Sequence, residues 1–157
     1  MIKKEISYSE ALNNLAAHCS VAERCKEDLY RKMERWELEE QEKDKIIAFL
    51  VKENFLNEDR YARAYVNDKY KFAKWGKKKI VQGMLMKGVE RESMQEGLNA
   101  IEYDVYLDNL KDILTAKQRT VKAKDEYDMK SKMIRFAMGR GFDYSDIIKV
   151  MPNLEVE

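Results

Sequence analysis

The segment Lys77–Gly88, KKKIVQGMLMKG, begins with three lysines, continues with apolar residues at helical spacing, and ends on a lysine and a glycine. Two other stretches share this pattern: Cys25–Trp36 (CKEDLYRKMERW) and Lys130–Gly141 (KSKMIRFAMGRG). Their last residues lie 52 and 53 positions apart. Recurrence at a nearly constant interval is typical of a repeated supersecondary unit. We therefore expect the chain to use one helical unit three times.

Each of these stretches lies between two further segments with helical periodicity. The preceding segments are Ser9–Ala17, Glu58–Ala73 and Val105–Gln118, and the following ones are Gln41–Lys52, Arg91–Ile101 and Ser145–Met151. The pattern predicts a unit of three helices. We expect three tandem units with boundaries at 7–55, 56–102 and 103–152.

Capping signals favour these helix boundaries. Ser7 with Glu10, and Ser20 with Glu23, match the capping box of a helix start. Further N-cap residues lie at predicted helix starts, at Asn57, Asp125 and Asp143. Glycines lie at two predicted helix ends, at Gly88 and Gly141. Trp36 replaces the glycine in the first unit, so the middle helix there must end in a different way.

Composition agrees with an all-α fold. Proline occurs once, at Pro152, and charged residues make up 38% of the 157-residue chain, a balance that favours helices with solvated faces. No apolar run approaches the ~18 residues of a membrane span, and the first ten residues lack the apolar core of a signal peptide. We expect a cytoplasmic protein in which Cys19 and Cys25 are free thiols.

The net charge of +1 conceals an uneven distribution. Residues 1–60 carry 11 basic and 14 acidic side chains, whereas residues 61–101 carry nine and four. Within 117–140 the count is eight basic against three acidic. The chain thus has an acidic front followed by two basic zones, which indicates an anionic partner.

Several segments resemble the RecX family, bacterial regulators of the RecA recombinase. The resemblance lies in Phe55–Ala62 (FLNEDRYA), Tyr65-Val66, Gly76, Ile80 and Leu85–Val89, and in Lys132–Phe142 followed by Asp146-Ile147. It covers most of the chain, from about Ser9 to Met151, although Glu37–Asp44 is more acidic than this family suggests.

The resemblance implies three tandem three-helix units in an elongated, curved array. It implies binding along the groove of a RecA filament on DNA, with restraint of the recombinase and co-protease activities in DNA repair and the SOS response. The expected partners are the RecA filament and single- or double-stranded DNA, bound alone or only within the filament, by a monomer with no membrane association. No enzyme activity and no cofactor are implied.

Helical spacing divides the Arg60–Lys74 segment into two faces. One face holds Tyr61, Ala62, Tyr65, Val66, Phe72 and Ala73, which we expect in the core. Tyr70 falls beside the opposite, basic stripe, so we expect it to face solvent. Tyr70 and Trp75 are then candidates for stacking on bases, although Trp75 also suits packing across an interhelical turn.

The candidate filament- or DNA-binding residues are basic side chains in two regions. Asp68 is the only acid between Tyr61 and Glu90, so we expect the basic stripe of the first region to lack acidic partners. Three lysines at a helix start oppose the helix dipole, which suggests an external anion. The first region comprises Arg60, Arg63, Lys71, Lys74, Lys77, Lys78, Lys79 and Lys87, and the second comprises Lys117, Arg119, Lys122, Lys124, Lys132, Arg135 and Arg140.

Other chemistries lack support in the sequence. The segment GKKKI has no spaced glycines for a phosphate loop, and His18, Cys19 and Cys25 are too few for a structural zinc site. No third residue orients a nucleophile, so no catalytic or metal site is predicted. Two alternatives to a RecA regulator fit the charges: a helical protein that binds DNA without RecA, and a helical-repeat adaptor for an acidic protein.

Overall fold

The computed structural model describes residues 2–154, most of which lie in α-helices. The helices are α1 Tyr8–Val21, α2 Lys26–Met33, α3 Glu40–Lys52, α4 Glu58–Lys71, α5 Lys77–Met86, α6 Arg91–Asn99, α7 Tyr103–Thr120, α8 Glu126–Gly139 and α9 Tyr144–Val150, followed by a 3₁₀ turn at Met151–Asn153. Over this described range, the only β-type pairing is one isolated bridge between Lys4 and Trp36. The all-α prediction is confirmed.

Three hydrophobic cores divide the nine helices found within residues 2–154 into groups of three. The first core contains Leu15, Leu29 and Ile46 of α1–α3. The second contains Val66, Ile80 and Met94 of α4–α6, and the third contains Leu110, Met133 and Ile147 of α7–α9. We refer to these groups as units 1, 2 and 3. The predicted helical repeat is confirmed.

Buried positions show how the units correspond. Leu29 of α2 corresponds to Ile80 of α5, which is 51 residues later, and Ile80 corresponds to Met133 of α8, which is 53 residues later. The interval of 52 that we inferred between Trp36 and Gly88 is one residue too long. Trp36 is therefore not the equivalent of Gly88. The chain leaves α2 beside the N-terminal segment, where Lys4 donates its N–H to the Arg35 carbonyl and accepts the N–H of Glu37.

Most of the predicted caps form. The Ser7 hydroxyl accepts the N–H of Glu10 at 3.1 Å, and Asn57 accepts that of Arg60 at 2.9 Å. Asp125 caps α8 in the same way, through the N–H of Asp128 at 2.7 Å. Gly88 and Gly141 end α5 and α8 at positive φ, +74° and +100°.

The predicted Ser20–Glu23 capping box is wrong. Helix α1 continues to Val21, and the Ser20 hydroxyl donates to the Ala16 carbonyl at 3.0 Å. Helix α2 instead begins after Cys25, whose backbone N–H donates to the Asp28 carboxylate at 3.2 Å. A serine in the last turn can bond backward to its own helix, and this bond competes with capping the next one.

Units 1 and 2 meet through a buried thiol and two ion pairs. Cys25, which precedes α2, packs within the core of unit 2. Glu23 pairs with Arg60 at 2.9 Å, and Asp28 pairs with Lys87 at 2.9 Å. This junction therefore depends on charged side chains as well as on apolar burial.

None of the helices described is long and apolar enough to cross a membrane.

Candidate binding surface

The start of α5 lies against unit 3. Gly76 provides no side-chain cap, but three successive backbone N–H groups find acceptors in unit 3. The N–H of Gly76 donates to the Arg140 carbonyl at 2.8 Å, and that of Lys78 donates to the Gly141 carbonyl at 3.1 Å. The N–H of Lys77 donates to the Tyr106 hydroxyl at 2.9 Å. These acceptors satisfy the N-terminal N–H groups that an external anion would otherwise occupy.

The three lysine side chains after Gly76 also have intramolecular partners. Lys78 pairs with Asp143 at 3.1 Å, although both side chains remain largely exposed. The ammonium group of Lys77 lies 5.5 Å from the centre of the Tyr106 ring. That of Lys79 lies 4.5 Å from the centre of the Trp75 ring. The Lys78 and Lys77 contacts favour the junction between units 2 and 3, whereas the Lys79–Trp75 contact lies within unit 2.

Most of the remaining first-region cations pair with acids that are distant in sequence. Our inference that this stripe lacks acidic partners is therefore wrong, because helix packing brings carboxylates from other helices to it. Two of these pairs lie at the unit 1–2 junction, one lies within unit 2 and one joins units 2 and 3. The pairs are Arg60–Glu23, Arg63–Glu96, Lys74–Asp112 and Lys87–Asp28, with N–O distances of 2.9, 2.6, 3.0 and 2.9 Å. Lys71 remains exposed, with its ammonium group 5.8 Å from the centre of the Tyr70 ring.

The Asp28–Lys87 pair perturbs both of its groups. Burial acts to raise the pKa of Asp28, but hydrogen bonds from Lys87 and from the Cys25 backbone outweigh it and leave the pKa lowered. The hydrogen bond to Asp28 raises the pKa of Lys87. Both shifts stabilise the charged forms, as expected for a partly buried ion pair.

The second region forms a cluster at the end of α7 and along α8. Lys117, Lys132 and Arg135 line a shallow depression of about 280 Å³ whose apolar residues are Val121 and Phe136. We call these three residues together with Lys122 the α7–α8 basic cluster. The ammonium group of Lys117 lies 4.9 Å from the centre of the Phe136 ring. Sequence reasoning identified the cations but missed Val121 and Phe136, whose apolar character alone does not distinguish them from core residues.

Lys132 makes two polar contacts on one side of the α7–α8 basic cluster. Its ammonium group donates to the Lys122 carbonyl at 2.6 Å and pairs with Asp128 at 3.0 Å. The hydrogen bond from Lys132 is the main cause of a lowered pKa at Asp128. Lys122, Lys124 and Arg135 make no salt bridge with any residue in 2–154. Their charges are therefore not compensated by a direct ion pair.

Arg119 and Arg140 differ in position. Arg119 is exposed in the last turn of α7, near the cluster in sequence. The Arg140 guanidinium donates to the Ala73 carbonyl of unit 2 at 2.8 Å and is partly buried. Arg140 thus contributes to the contact between units 2 and 3.

Tyr70 and Phe72 occupy the opposite environments to those we predicted. Tyr70 is 2% exposed and Phe72 is 77% exposed, so Tyr70 is not a stacking residue and Phe72 is not a core residue. Tyr70 is buried because α4 packs on two sides, whereas Phe72 lies just beyond the last residue of that helix. The Tyr70 carbonyl accepts a hydrogen bond from the Asn109 side chain of α7. Unit 3, which contains α7, therefore covers the face of α4 that we assigned to solvent. Trp75 packs against the unit 2 core, between the ammonium groups of Lys69 and Lys79.

The cysteines are free and buried. Burial is the main cause of a raised pKa in both Cys19 and Cys25. Across the described part of the chain, no group of three or more His, Cys, Asp or Glu residues is arranged to hold a metal ion. These cysteines therefore have the environment of core residues.

Family models and solved structures both match this arrangement. The model for the second three-helix domain of RecX matches residues 57–98, and the model for the third matches residues 104–151. A crystal structure of regulatory protein RecX superposes with a TM-score of 0.85 at 18% identity, over 92% of this chain and 73% of that one. RecX from Lactobacillus salivarius gives a TM-score of 0.81 at 18% identity, over 94% and 96%.

Curated relatives agree with the family models. The regulatory protein RecX of Clostridium perfringens is 26% identical over 98% of this chain and 74% of its own length. That of Clostridioides difficile is 28% identical over 93% and 68%. The two family models together match more than half of the residues. The chain belongs to the RecX family of regulatory proteins.

Proposed function

We propose that this chain binds the RecA–DNA filament and restrains the recombinase and co-protease activities of RecA, in DNA repair and the SOS response. In this proposal it acts by binding, without catalysis or a cofactor, as a cytoplasmic monomer with modules at 7–55, 56–102 and 103–152. Family membership supports the choice of RecA as partner. The observation that carries the proposal is the α7–α8 basic cluster, an open, cation-lined surface on a helical repeat.

The charge state of the α7–α8 basic cluster supports an anionic partner. Lys122 and Arg135 have no salt bridge within the described residues, so binding does not require them to give up an intramolecular pair. Phosphate groups of the filament's DNA would release counterions on binding these side chains. Acidic groups on RecA would instead contribute electrostatic complementarity.

The first-region cations are expected to contribute less. Arg60, Arg63, Lys74 and Lys87 already hold carboxylates at 2.6–3.0 Å, so an external anion would compete with each of those ion pairs. Lys71 is exposed and makes no salt bridge with a described residue. We therefore expect the binding free energy to depend most on the α7–α8 basic cluster.

Charge reversal tests this surface. The double variant Lys122→Glu/Arg135→Glu should bind RecA filaments more weakly than the unaltered chain in co-sedimentation at matched salt. If both side chains bind phosphates, the salt slope of binding should fall by roughly two units, about one for each phosphate that is no longer neutralised. A matched control is Lys45→Glu/Lys52→Glu, which reverses two exposed charges of α3 without breaking a salt bridge among the described residues.

Bare DNA in the same experiment distinguishes the main alternative. The α7–α8 basic cluster also suits a phosphate backbone without RecA, so a DNA-binding protein independent of RecA is the second candidate. Equal binding to bare DNA and to the filament would favour that candidate. Normal filament inhibition by a folded Lys122→Glu/Arg135→Glu variant would contradict the assignment of this surface.

A further inference from the structure

Units 2 and 3 each carry an open apolar groove between their second and third helices. In unit 2 the groove lies between Val81 and Leu85 of α5 and Met94 and Leu98 of α6, with a volume of about 250 Å³. In unit 3 a groove of about 330 Å³ lies between α8 and α9. It is lined by Ile134, Tyr144, Ile148 and Met151.

The two grooves use equivalent positions. Val81 corresponds to Ile134 and Leu98 to Met151, with the same interval of 53 residues that relates the buried positions of α5 and α8. Leu85 of the unit 2 groove and Ile148 of the unit 3 groove are 55% and 45% exposed. Large apolar side chains exposed along a groove are typical of an interaction site.

Unit 1 has polar side chains at positions equivalent to groove residues of unit 2. Tyr30 precedes Val81 by 51 residues, the interval that relates units 1 and 2. Its hydroxyl donates to the Asp44 carboxylate of α3 at 2.7 Å. Lys43, which corresponds to Met94, is buried and pairs with Glu40 at 3.1 Å. The Tyr30–Asp44 hydrogen bond therefore links α2 and α3, whereas the Lys43–Glu40 pair lies within α3.

The charges beside the grooves indicate which kind of partner is complementary to them. Arg91 lines the unit 2 groove and Lys130 lines the unit 3 groove, and both residues are exposed. Neither groove has an acidic residue in its lining, as far as the described residues 2–154 extend. A complementary ligand would present apolar side chains flanked by carboxylates.

We propose that both grooves dock the apolar face of an acidic amphipathic helix, presented at regular intervals by a polymeric protein. A helix of this kind places its apolar side chains in a groove between two helices. Two equivalent grooves in tandem suit a partner that repeats along a polymer, because the second binding event then becomes intramolecular. This inference rests on the proposed function, in which the polymer is the RecA filament.

The test is a set of charge insertions measured by co-sedimentation with RecA filaments and with bare DNA. Leu85→Glu and Ile148→Glu each place a carboxylate in one groove, and the double variant alters both. Each single variant should weaken filament binding roughly tenfold, as expected for an apolar anchor, and the double variant more strongly. Binding to bare DNA should not change. Val21→Glu adds the same charge at an exposed apolar residue of unit 1 and should bind as the unaltered chain does.

A further double variant tests the groove cations without changing the apolar side chains of the grooves. Arg91→Glu/Lys130→Glu should also weaken filament binding and reduce its salt dependence. Circular dichroism establishes that every variant is folded, and the exposure of the altered side chains makes folding expected.

The outcomes separate this inference from the proposed function. Filament binding by the unaltered chain, retained in folded Leu85→Glu/Ile148→Glu, would overturn the docking proposal alone. Failure of the unaltered chain to bind filaments would overturn the proposed function and this inference with it. A homodimer in sedimentation velocity that Leu85→Glu dissociates would assign the grooves to a second copy of the chain and overturn the proposal.

Discussion

Gly76 and Gly141 lie in direct backbone contact across the junction between units 2 and 3. A Cβ on Gly76 would lie 2.1 Å from the carbonyl carbon of Gly141, and one on Gly141 would lie 2.6 Å from the Cβ of Lys79. The absence of both side chains allows the Gly76 and Lys78 N–H groups to reach carbonyls of the α8–α9 turn. The junction is therefore a main-chain contact that requires glycine on each side.

We predict that Gly76→Ala destabilises the protein by about 2–3 kcal/mol, because the added methyl group would overlap backbone atoms that no rotamer change can move. Gly141→Ala should also be destabilising, since its φ of +100° adds backbone strain to the overlap with Lys79. Urea unfolding followed by circular dichroism measures both free energies.

Gly139 provides the matched control for these glycine variants. A Cβ there meets no atom within 4 Å, and the residue lies within α8. Gly139→Ala should therefore leave stability unchanged or raise it by up to about 1 kcal/mol through helix propensity. A Gly76→Ala variant as stable as Gly139→Ala would contradict the close approach at the junction.

Lys78→Glu is predicted to destabilise the protein by about 0.5–1 kcal/mol. The change breaks the pair with Asp143 and places two carboxylates together at the unit 2–3 junction. Sequence reasoning alone leads to the opposite sign, because an acid suits a helix N-terminus. Here carbonyl and hydroxyl oxygens of unit 3 already accept hydrogen bonds from the N–H groups at the α5 N-terminus. Thermal unfolding at low and high salt separates the two expectations, and a more stable variant would favour the dipole effect.

The Asp28–Lys87 pair predicts a pH dependence of stability. The pKa of Asp28 is lowered in the folded chain, so its contribution is present above its usual value of 3.8 and is lost as pH falls through the folded-state pKa. The pKa of Lys87 is raised, so its contribution is present below 10.5 and is lost as pH rises through the raised value. Asp28→Asn should cost about 1–2 kcal/mol at neutral pH.

Urea unfolding at several pH values checks the predicted pH dependence of the Asp28–Lys87 contribution to stability. The difference in stability between the unaltered chain and Asp28→Asn should shrink as pH falls below 3.8 and as pH rises past 10.5. A difference that stays constant over this range would show that the ion pair does not contribute.

The two thiols should react slowly with a chromogenic disulfide at neutral pH. Cys19 and Cys25 are 9% and 4% exposed, and burial raises the pKa of each thiol, so little thiolate is present. Both should react rapidly after unfolding in urea, which serves as the control. Rapid reaction of one thiol in the folded chain would identify a local opening near that residue.

Local chemistry along the chain accounts for much of the fold. Ser7, Asn57 and Asp125 are N-caps because each needs only an N–H three residues away. Gly141 could be placed at a helix end for the same local reason. Ser20 was misassigned because its hydroxyl had two local options, and the backward bond to Ala16 formed.

The candidate site was predictable only as a set of cations. The sequence predicted the abundance of lysine and arginine in the α7–α8 basic cluster, since composition does not depend on folding. It did not predict which cations are paired, because the partners are remote: Lys74 meets Asp112, 38 residues away, and Lys87 meets Asp28, 59 residues away. A count of acidic neighbours along the chain cannot detect these pairs.

The helical class, the threefold repetition and most helix ends follow from the sequence without its tertiary structure, because they depend on interactions within a few residues of the chain. How one unit meets the next depends instead on packing between units. Tyr70 is buried because Asn109 and α7 of unit 3 pack on α4, and the α5 N-terminus is capped by unit 3. A helix in a repeat protein has a neighbouring unit as well as its own core, and the periodicity of a single helix does not show which of its faces that neighbour covers.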